Sequence, residues 1–160
     1  MAAYRKVGTL DPCDAAYLGG LVDGEGTVTL TAQHRNENRR LVLSISNTEL
    51  PLLEFVRRIV GAGHITTKRT YSEKHSPSFT YQINGRQALS LLAQIAPYLR
   101  TYKSKRAKLV LRDYVRLTPR NGKYTQKMKR QREEFERQLL GVLPAQRSLP
   151  RSANDRANLT

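Results

Sequence analysis

Apolar and polar residues change their spacing several times along this chain, and each change predicts a new structural element. Residues 12–23 carry apolar or small side chains in a helical pattern, and Asp11 before them is a typical helix cap. From 27 to 33 the period becomes two, with threonines alternating against apolar residues, which predicts a strand with one buried face. The polar segment 34–40 then predicts a hairpin loop that leads into a second alternating strand at 40–46.

The same order of patterns follows once more. A helix from about 48 to the glycine at 61 precedes two strands, at 64–71 and 78–83, and a helix capped by Asn84 ends near Pro97. The order is therefore αββαββα. This predicts an α+β fold in which helices cover one face of a four-stranded antiparallel sheet and the other face stays polar.

Two further helices are predicted after this core, at about 104–117 and 125–140, with a turn at 119–122 between them. We expect one domain over residues 1–143, with its core at about 12–100 and its C-terminal helices at about 104–140. Residues 144–160 are polar, basic and poor in large apolar groups, so they predict a disordered tail.

The charge composition of the chain indicates which class of molecule it binds. The chain has 28 Lys and Arg against 13 Asp and Glu, a net charge of +15, which favours a polyanion: nucleic acid first and an anionic membrane surface second. No apolar run approaches the roughly 18–20 residues of a membrane helix, and no signal-peptide pattern opens the sequence. The lone Cys13 fits a reducing compartment, so we expect an intracellular protein that is not secreted. An RNA-binding protein of ribosomal type would share this charge and size.

The predicted open face of the sheet is rich in hydrogen-bonding side chains and almost free of acids. A solvated face would be polar too, but it usually carries many Lys and Glu. A two-stranded ribbon fits the DNA major groove, where Arg or Lys reads guanine and Gln reads adenine. The predicted DNA-contacting residues are Thr29, Thr31, Gln33, Arg35, Arg40, Ser44, Ser46, His64, Thr66, Lys68, Thr70, Thr80 and Gln82.

The most informative segment is residues 18–26, where an apolar helix end runs into two carboxylates spaced by glycines. Four of the ten glycines of the chain lie in this segment, although a glycine inside a helix costs about 1 kcal/mol relative to alanine. The doublet Gly19-Gly20 lets another backbone approach closely, which would bring the carboxylates Asp23 and Glu25 of two copies together. The alternative is a glycine-terminated helix followed by a solvated turn.

These nine residues resemble the LAGLIDADG motif of homing endonucleases, and the αββαββα order is also the core fold of that family. Only one copy of the motif occurs, which in this family implies a homodimer. The resemblance implies that Glu25 binds the divalent metal, with the carbonyl of Gly24 as a second ligand, although many members carry Asp at the position of Glu25. It places the subunit interface on the motif helix, at Leu18, Gly19, Gly20, Val22 and Asp23.

The resemblance also implies two supporting catalytic residues. Asn47 directly follows the second strand, where the family keeps a polar residue that orients water; the alternative is that Asn47 only turns the chain into the next helix. A basic residue before the helix that follows the core corresponds best to Lys103, with Lys105 as its nearest rival.

The activity implied is cleavage of both strands of a long, nearly palindromic DNA, leaving short 3′ overhangs. Mg²⁺ would be the cofactor, with Mn²⁺ as a substitute and Ca²⁺ supporting binding without cleavage. The partners would be double-stranded DNA and a second copy of the chain, with no membrane. Two alternatives stay open: an RNA-splicing maturase on the same fold, which would bind intron RNA, and a non-catalytic DNA-binding regulator.

Overall fold

A computed structural model describes residues 5–32, 34–35, 37–68 and 77–145. In this part of the chain the elements follow the predicted αββαββα order and continue into two more helices. They are α1 (Pro12–Glu25), β1 (Gly26–Thr31), β2 (Arg40–Asn47), α2 (Leu50–Val60), β3 (His64–Lys68), β4 (Ser78–Asn84), α3 (Gly85–Ile95), a 3-10 turn (Ala96–Tyr98), α4 (Tyr102–Asp113) and α5 (Gln126–Gly141).

The four strands form one antiparallel sheet in the order β1-β2-β4-β3. Two successive β-hairpins give this order, with β2 and β4 as the central pair. The alternation of the sequence sets the register, because Leu43 of β2 pairs with Val28 on one side and Ile83 on the other, and all three are buried. The predicted α+β fold with a four-stranded antiparallel sheet is therefore confirmed.

One hydrophobic core joins the helices to the inner face of the sheet, and α4 and α5 belong to it. Val110 and Tyr114 at the end of α4 and Phe135 and Leu139 of α5 are buried in the same cluster as the strand residues. The boundaries differ modestly from the prediction. α1 continues to Glu25. α4 begins earlier than expected, because the side chain of Thr101 caps its first turn, and it ends at Asp113. The last predicted residues of β3, from 69 to 71, lie outside the described residues.

The C-terminal helices also cover the edge of the sheet. Arg106 of α4 donates from Nη1 to the carbonyl of Val28 in the edge strand β1 (2.8 Å) and from Nε to the carbonyl of Val142 (3.0 Å). Tyr114 accepts a hydrogen bond from the backbone N–H of Leu41 (3.1 Å). A backbone carbonyl of the edge strand β1 is thus paired with Arg106 of α4, and a backbone N–H near the start of β2 is paired with Tyr114, which directly follows α4.

The contact of Val142 with Arg106 predicts where the chain can be shortened. The predicted tail lies outside the described residues from 146 onward, and its sequence offers little apolar area to offset the entropy of ordering. Truncation after Ala145 should leave the melting temperature unchanged. Truncation after Gly141 removes the carbonyl that Arg106 binds, and should cost about 1.5–3 kcal/mol in urea unfolding. Equal losses for the two truncations would show that the tail itself packs on the core.

Candidate functional site at the end of the first helix

The helix α1 passes into the strand β1 without an intervening residue, and Glu25 is exposed at this junction. Asp11 caps the start of α1 by accepting from the N–H groups of Cys13 (2.8 Å) and Asp14 (3.0 Å). Gly26 makes the direct passage possible, because a Cβ at this position would lie 2.7 Å from Cα of Val22. The sequence therefore presents the Glu25 carboxylate at a fixed corner between helix and sheet.

Lys103 of α4 binds the carboxyl end of α1. Its Nζ donates to the carbonyls of Val22 (2.8 Å) and Asp23 (2.9 Å), and the residue is only 5% exposed. Burial lowers the pKa of Lys103 from the usual lysine value, while the nearby charges of Asp23 and Glu25 oppose that shift. Lys105, the rival candidate, is exposed to solvent and lies beside Tyr102 and Leu143. Of the two lysines, Lys103 is the one in contact with the motif helix.

Asp23 makes the reciprocal contact with the start of α4. Its carboxylate accepts from the backbone N–H of Arg100 (2.6 Å) and from the N–H (3.3 Å) and hydroxyl (2.6 Å) of Thr101. Burial would raise the pKa of Asp23, but the hydrogen bonds from Thr101 and Arg100 and the charge of Lys103 outweigh it and hold the pKa below its usual value of 3.8. The end of α1 and the start of α4 therefore cap one another.

Glu25 stands at the negative end of the α1 dipole, next to carbonyl groups that point the same way. The negative charge of the Glu25 carboxylate is unfavourable at this end of the helix unless a cation is close. The ammonium of Lys103 is one such positive charge, and it also binds Val22 and Asp23. No group of three or more His, Cys, Asp or Glu side chains able to hold a metal occurs in the described part of the chain. A metal at Glu25 would therefore take most of its ligands from water, backbone carbonyls or phosphate, which is the coordination that Mg²⁺ favours.

Asn47 lies at the same end of the sheet, two residues beyond Ile45, which pairs with Gly26. Its Oδ1 accepts a hydrogen bond from the backbone N–H of Glu49 (2.8 Å), so the side chain turns the chain into α2. This is the structural role that the sequence left open. The residue is only half-buried, and a further contact of its amide with water stays a prediction.

The outer face of the sheet has the predicted polar character. Its described positions form rows across the strands, such as Ser44, Gln82 and His64, or Ser46, Thr80 and Thr66. The Ser46 and Thr80 hydroxyls hydrogen-bond to each other at 2.9 Å. The exposed or half-exposed members of the predicted set are Thr29, Thr31, Arg40, Ser44, Ser46, His64, Thr66, Thr80 and Gln82, with Arg35 exposed in the hairpin loop.

Three predicted members need separate mention. Gln33 and Thr70 lie outside the described residues, and Lys68 is the last residue of β3. The prediction missed Thr27, which is exposed beside Ser44 although the same alternation that selected Thr29 pointed to it. Val42, which the alternation of β2 places on the outer face, is only 7% exposed, because it is flanked by Thr29 and Asn84 on the neighbouring strands.

The predicted interface residues of α1 divide between two faces of the helix. Leu18 and Val22 are 1% exposed and belong to the core of the chain itself. Gly19 is buried too, since a Cβ there would lie 2.7 Å from Cβ of Tyr98. Asp23 is held by α4, as described above. Leu18, Val22 and Gly19 are therefore corrected from a subunit interface to contacts within one chain, whereas the half-exposed Asp23 stays a predicted interface residue. The exposed face of α1 instead presents Gly20 together with Cys13, Ala16, Tyr17 and Gly24.

Gly20 differs from its neighbour in having open space around it, because a Cβ added there would meet no atom of the described chain within 4 Å. Tyr17 beside it is 50% exposed and packs edge-on against Phe55 of α2, with ring centroids 6.0 Å apart. A surface of small residues with one exposed aromatic ring is thus left uncovered on the helix that ends in Glu25. No helix in the described residues is long and apolar enough to cross a bilayer.

The reciprocal caps predict a pH-dependent loss of stability on Asp23→Asn. Because the pKa of Asp23 is lowered on folding, its stabilisation is present above pH 3.8 and is lost as the pH falls through the folded-state pKa. The substitution should cost about 1 kcal/mol near pH 7, the typical value of a helix cap, and the gap should close in acid. Urea unfolding of the wild type and of Asp23→Asn from about pH 7 to about pH 3 measures this difference in unfolding free energy.

Thr101→Val and Thr101→Ser provide the matched controls, since valine removes the hydroxyl that binds Asp23 and serine keeps it. Valine should reproduce part of the loss and serine little of it. A cost for Asp23→Asn that is the same at every pH would mean that the carboxylate charge is not what holds α4.

The comparison with known proteins agrees with this geometry. The family model described as "LAGLIDADG-like domain" matches residues 12–112. The solved structure of the homing endonuclease I-CvuI in complex with its target is 20% identical, with a TM-score of 0.67 and 90% of both chains covered. The archaeal intron-encoded homing endonuclease I-Vdi141I, complexed with DNA, is 11% identical, with a TM-score of 0.56 and 90% and 91% covered.

A longer protein also contains the fold. I-SmaMI, bound to an uncleaved DNA target with calcium ions, is 19% identical with a TM-score of 0.54. The match covers 82% of this chain and 45% of I-SmaMI. Among curated proteins, none is significantly similar to this chain in sequence. The structural similarities establish a shared fold, and the family match covers the motif, the sheet and α4.

Proposed function

Because the chain belongs to the LAGLIDADG family, we propose that it is a site-specific homing endonuclease. It would cut both strands of a long, nearly palindromic double-stranded DNA by metal-dependent phosphodiester hydrolysis and leave short 3′ overhangs. One observation carries this proposal: the exposed Glu25 lies at the junction between the motif helix and a polar sheet face that bears no acid among its described positions.

The sheet face would read the DNA. Its described side chains are mainly neutral donors and acceptors, together with Arg40, so they suit base edges in the major groove better than they suit phosphates. The exposed Lys and Arg residues elsewhere on the chain would contact phosphates and give binding a steep dependence on salt. This division agrees with a net charge of +15 combined with a nearly uncharged reading face.

The donor set at the junction fits a hard divalent cation. Glu25 offers an exposed carboxylate, and the carbonyl of Gly24 is the proposed second ligand. Mg²⁺ held there would supply a hydroxide and neutralise the charge that develops on the phosphate; Mn²⁺ would replace it, and Ca²⁺ would support binding without cleavage. The ammonium of Lys103 would add positive charge behind Glu25, and the amide of Asn47 would orient water at the same end of the sheet.

A single chain carries one such site, so cutting both strands calls for a second copy. The exposed face of α1 with Gly20 and Gly24 supports an interface there, since two helices could approach closely at glycines. The match to I-SmaMI agrees with the need for a second copy. It covers only 45% of I-SmaMI, so that longer chain has room for a second region of similar length. Two subunits joined through α1 would bring two Glu25 carboxylates near the dyad.

The proposed metal ligand predicts that binding and cleavage separate at Glu25. Glu25→Gln removes the charge that holds the metal and leaves the sheet face intact. DNA affinity without metal or in Ca²⁺ should stay within about twofold, whereas cleavage in Mg²⁺ should fall at least about a hundredfold because the nucleophile is no longer generated. The substrate is duplex DNA spanning the uninterrupted insertion site of the gene, and mapping of the cut ends tests the 3′ overhangs.

Glu54→Gln is the matched control. Glu54 is exposed on α2, so its substitution removes the same charge from a different element of the chain. It should leave cleavage unchanged. Near wild-type cleavage by Glu25→Gln would show that the metal ligand is wrong. Binding of the wild type to DNA without any cleavage would instead favour the regulator. Preference for the intron RNA over duplex DNA would favour the maturase.

Two adjacent glycines predict opposite effects on folding and dimerisation. Gly20→Leu adds a side chain where a single chain has open space, so a monomer should tolerate it, but a close helix contact between subunits should not. We expect the wild type to sediment as a dimer at micromolar concentration and Gly20→Leu to sediment as a folded monomer.

Gly19→Ala provides the contrast, because its Cβ would meet Tyr98 within the chain and should lower the unfolding free energy by about 1–3 kcal/mol. The milder Gly20→Ala should stabilise an isolated helix by about 1 kcal/mol if nothing packs there. A wild-type monomer, or a Gly20→Leu protein that stays dimeric, would remove α1 from the interface.

A further inference from the structure

Arg132 of α5 is buried at the centre of a hydrogen-bond network that joins α5 to the sheet. It is 6% exposed, and its guanidinium donates to the carbonyl of Leu117 (2.9 Å), the hydroxyl of Tyr124 (3.3 Å), the Glu136 carboxylate (3.3 Å) and the carbonyl of Arg39. The Tyr124 ring also lies 5.6 Å from the guanidinium carbon. One side chain thus joins α5, the connection before it and the start of β2.

The contact with Arg39 matters because that residue stands directly before the strand that enters the reading face. Arg40 follows it and pairs with Thr31, the last pair of the β1–β2 hairpin, and both are proposed DNA contacts. The Arg39 side chain itself approaches the carbonyl of Leu30 (3.5 Å) and Glu136 (3.6 Å). Both strands of the hairpin are therefore held to α5 at the point where the ladder ends.

Burying an arginine to join these segments costs desolvation free energy. Removing a charge from water is costly, and well-packed apolar residues often stabilise as much or more. What arginine supplies is geometry, because its planar fork fixes several acceptors in defined directions at once. A lysine concentrates its three donors at one atom and cannot bridge Leu117, Arg39 and Glu136 in the same way.

We propose that Arg132 is a specificity-determining positioning residue: by fixing the carbonyl of Arg39, it aims Arg40 and Thr31 at their base pairs without touching the DNA. This inference rests on the proposed function, since it concerns how the same sheet reads a target. Ser46 and Thr80 hydrogen-bond to each other, and among the described residues neither is a hydrogen-bond partner of Arg132 or Glu136, so this part of the face should not depend on Arg132.

Base preferences measured position by position test the proposal. The wild type first selects duplexes from a randomised library without metal. Competition with single base-pair changes then gives its preference at each position. Arg40→Ala and Thr80→Val identify the positions that depend on each end of the face. Arg132→Met should flatten the Arg40-dependent preferences at least about fivefold and change the Thr80-dependent ones by less than about twofold.

Arg130→Met is the matched control, since it removes the same charge from an exposed position of α5. It should weaken binding to all sequences equally and leave the profile unchanged. Because Arg132→Met can also lower stability, Glu136→Gln serves as a milder variant that keeps volume and weakens the hold on Arg39 and Arg132. It should flatten the same positions to a smaller degree.

The outcomes separate the two levels of the argument. Unchanged preferences in both variants, or losses spread evenly over all positions, overturn the positioning role while the endonuclease proposal stands. A wild type that selects no sequence at all overturns both. Flattening confined to the Arg40-dependent positions, with Arg132→Lys failing to restore them, supports the geometric role of the guanidinium fork.

Discussion

The structure depends on the mutual capping of α1 and α4. Lys103 satisfies carbonyls at the end of α1, and Asp23 satisfies N–H groups at the start of α4. The carbonyls of Val22 and Asp23 thus find a donor on α4, and the N–H groups of Arg100 and Thr101, directly before α4, find an acceptor on α1. The contact fixes where Glu25 leaves the helix. It also makes α4, which follows the αββαββα core in sequence, part of the candidate site.

The basic residues of this chain therefore serve two different purposes. Lys103, Arg106 and Arg132 are buried and bind backbone carbonyls, and no buried side-chain nitrogen or oxygen of the described residues lacks a partner. These three charges hold helix ends and strand edges in place and are not available to DNA phosphates. Net charge alone indicates a polyanion partner, but it overstates the surface charge that such a partner meets.

Sequence periodicity was sufficient for the elements, because each one buries a face and the spacing of its apolar residues reports that face. It was insufficient where two positions look alike. Gly19 and Gly20 are indistinguishable by composition, yet one contacts Tyr98 and the other faces open space. An apolar residue of α1 can pack either on a second subunit or on the core of its own chain, and the sequence does not distinguish the two. Leu18 and Val22, predicted at the subunit interface, are buried in the core of their own chain. In the same way, the sequence alone does not distinguish the buried Arg106 and Arg132 from the exposed basic residues around them.

A reading face that contributes little to the core can change without loss of the fold. Thr31, Arg40 and His64 are exposed, so substitutions there should be nearly neutral for stability. Val42 is the exception on this face, since it is buried between neighbouring strands. Glu25, by contrast, is exposed but held at a corner that Gly26, Lys103 and Asp23 determine by packing and hydrogen bonds. The proposed recognition face and the proposed metal site thus lie on parts of the molecule with different tolerance to substitution. If the chain acts as proposed, it can acquire a new target by changes on the sheet while the site at the end of α1 stays the same.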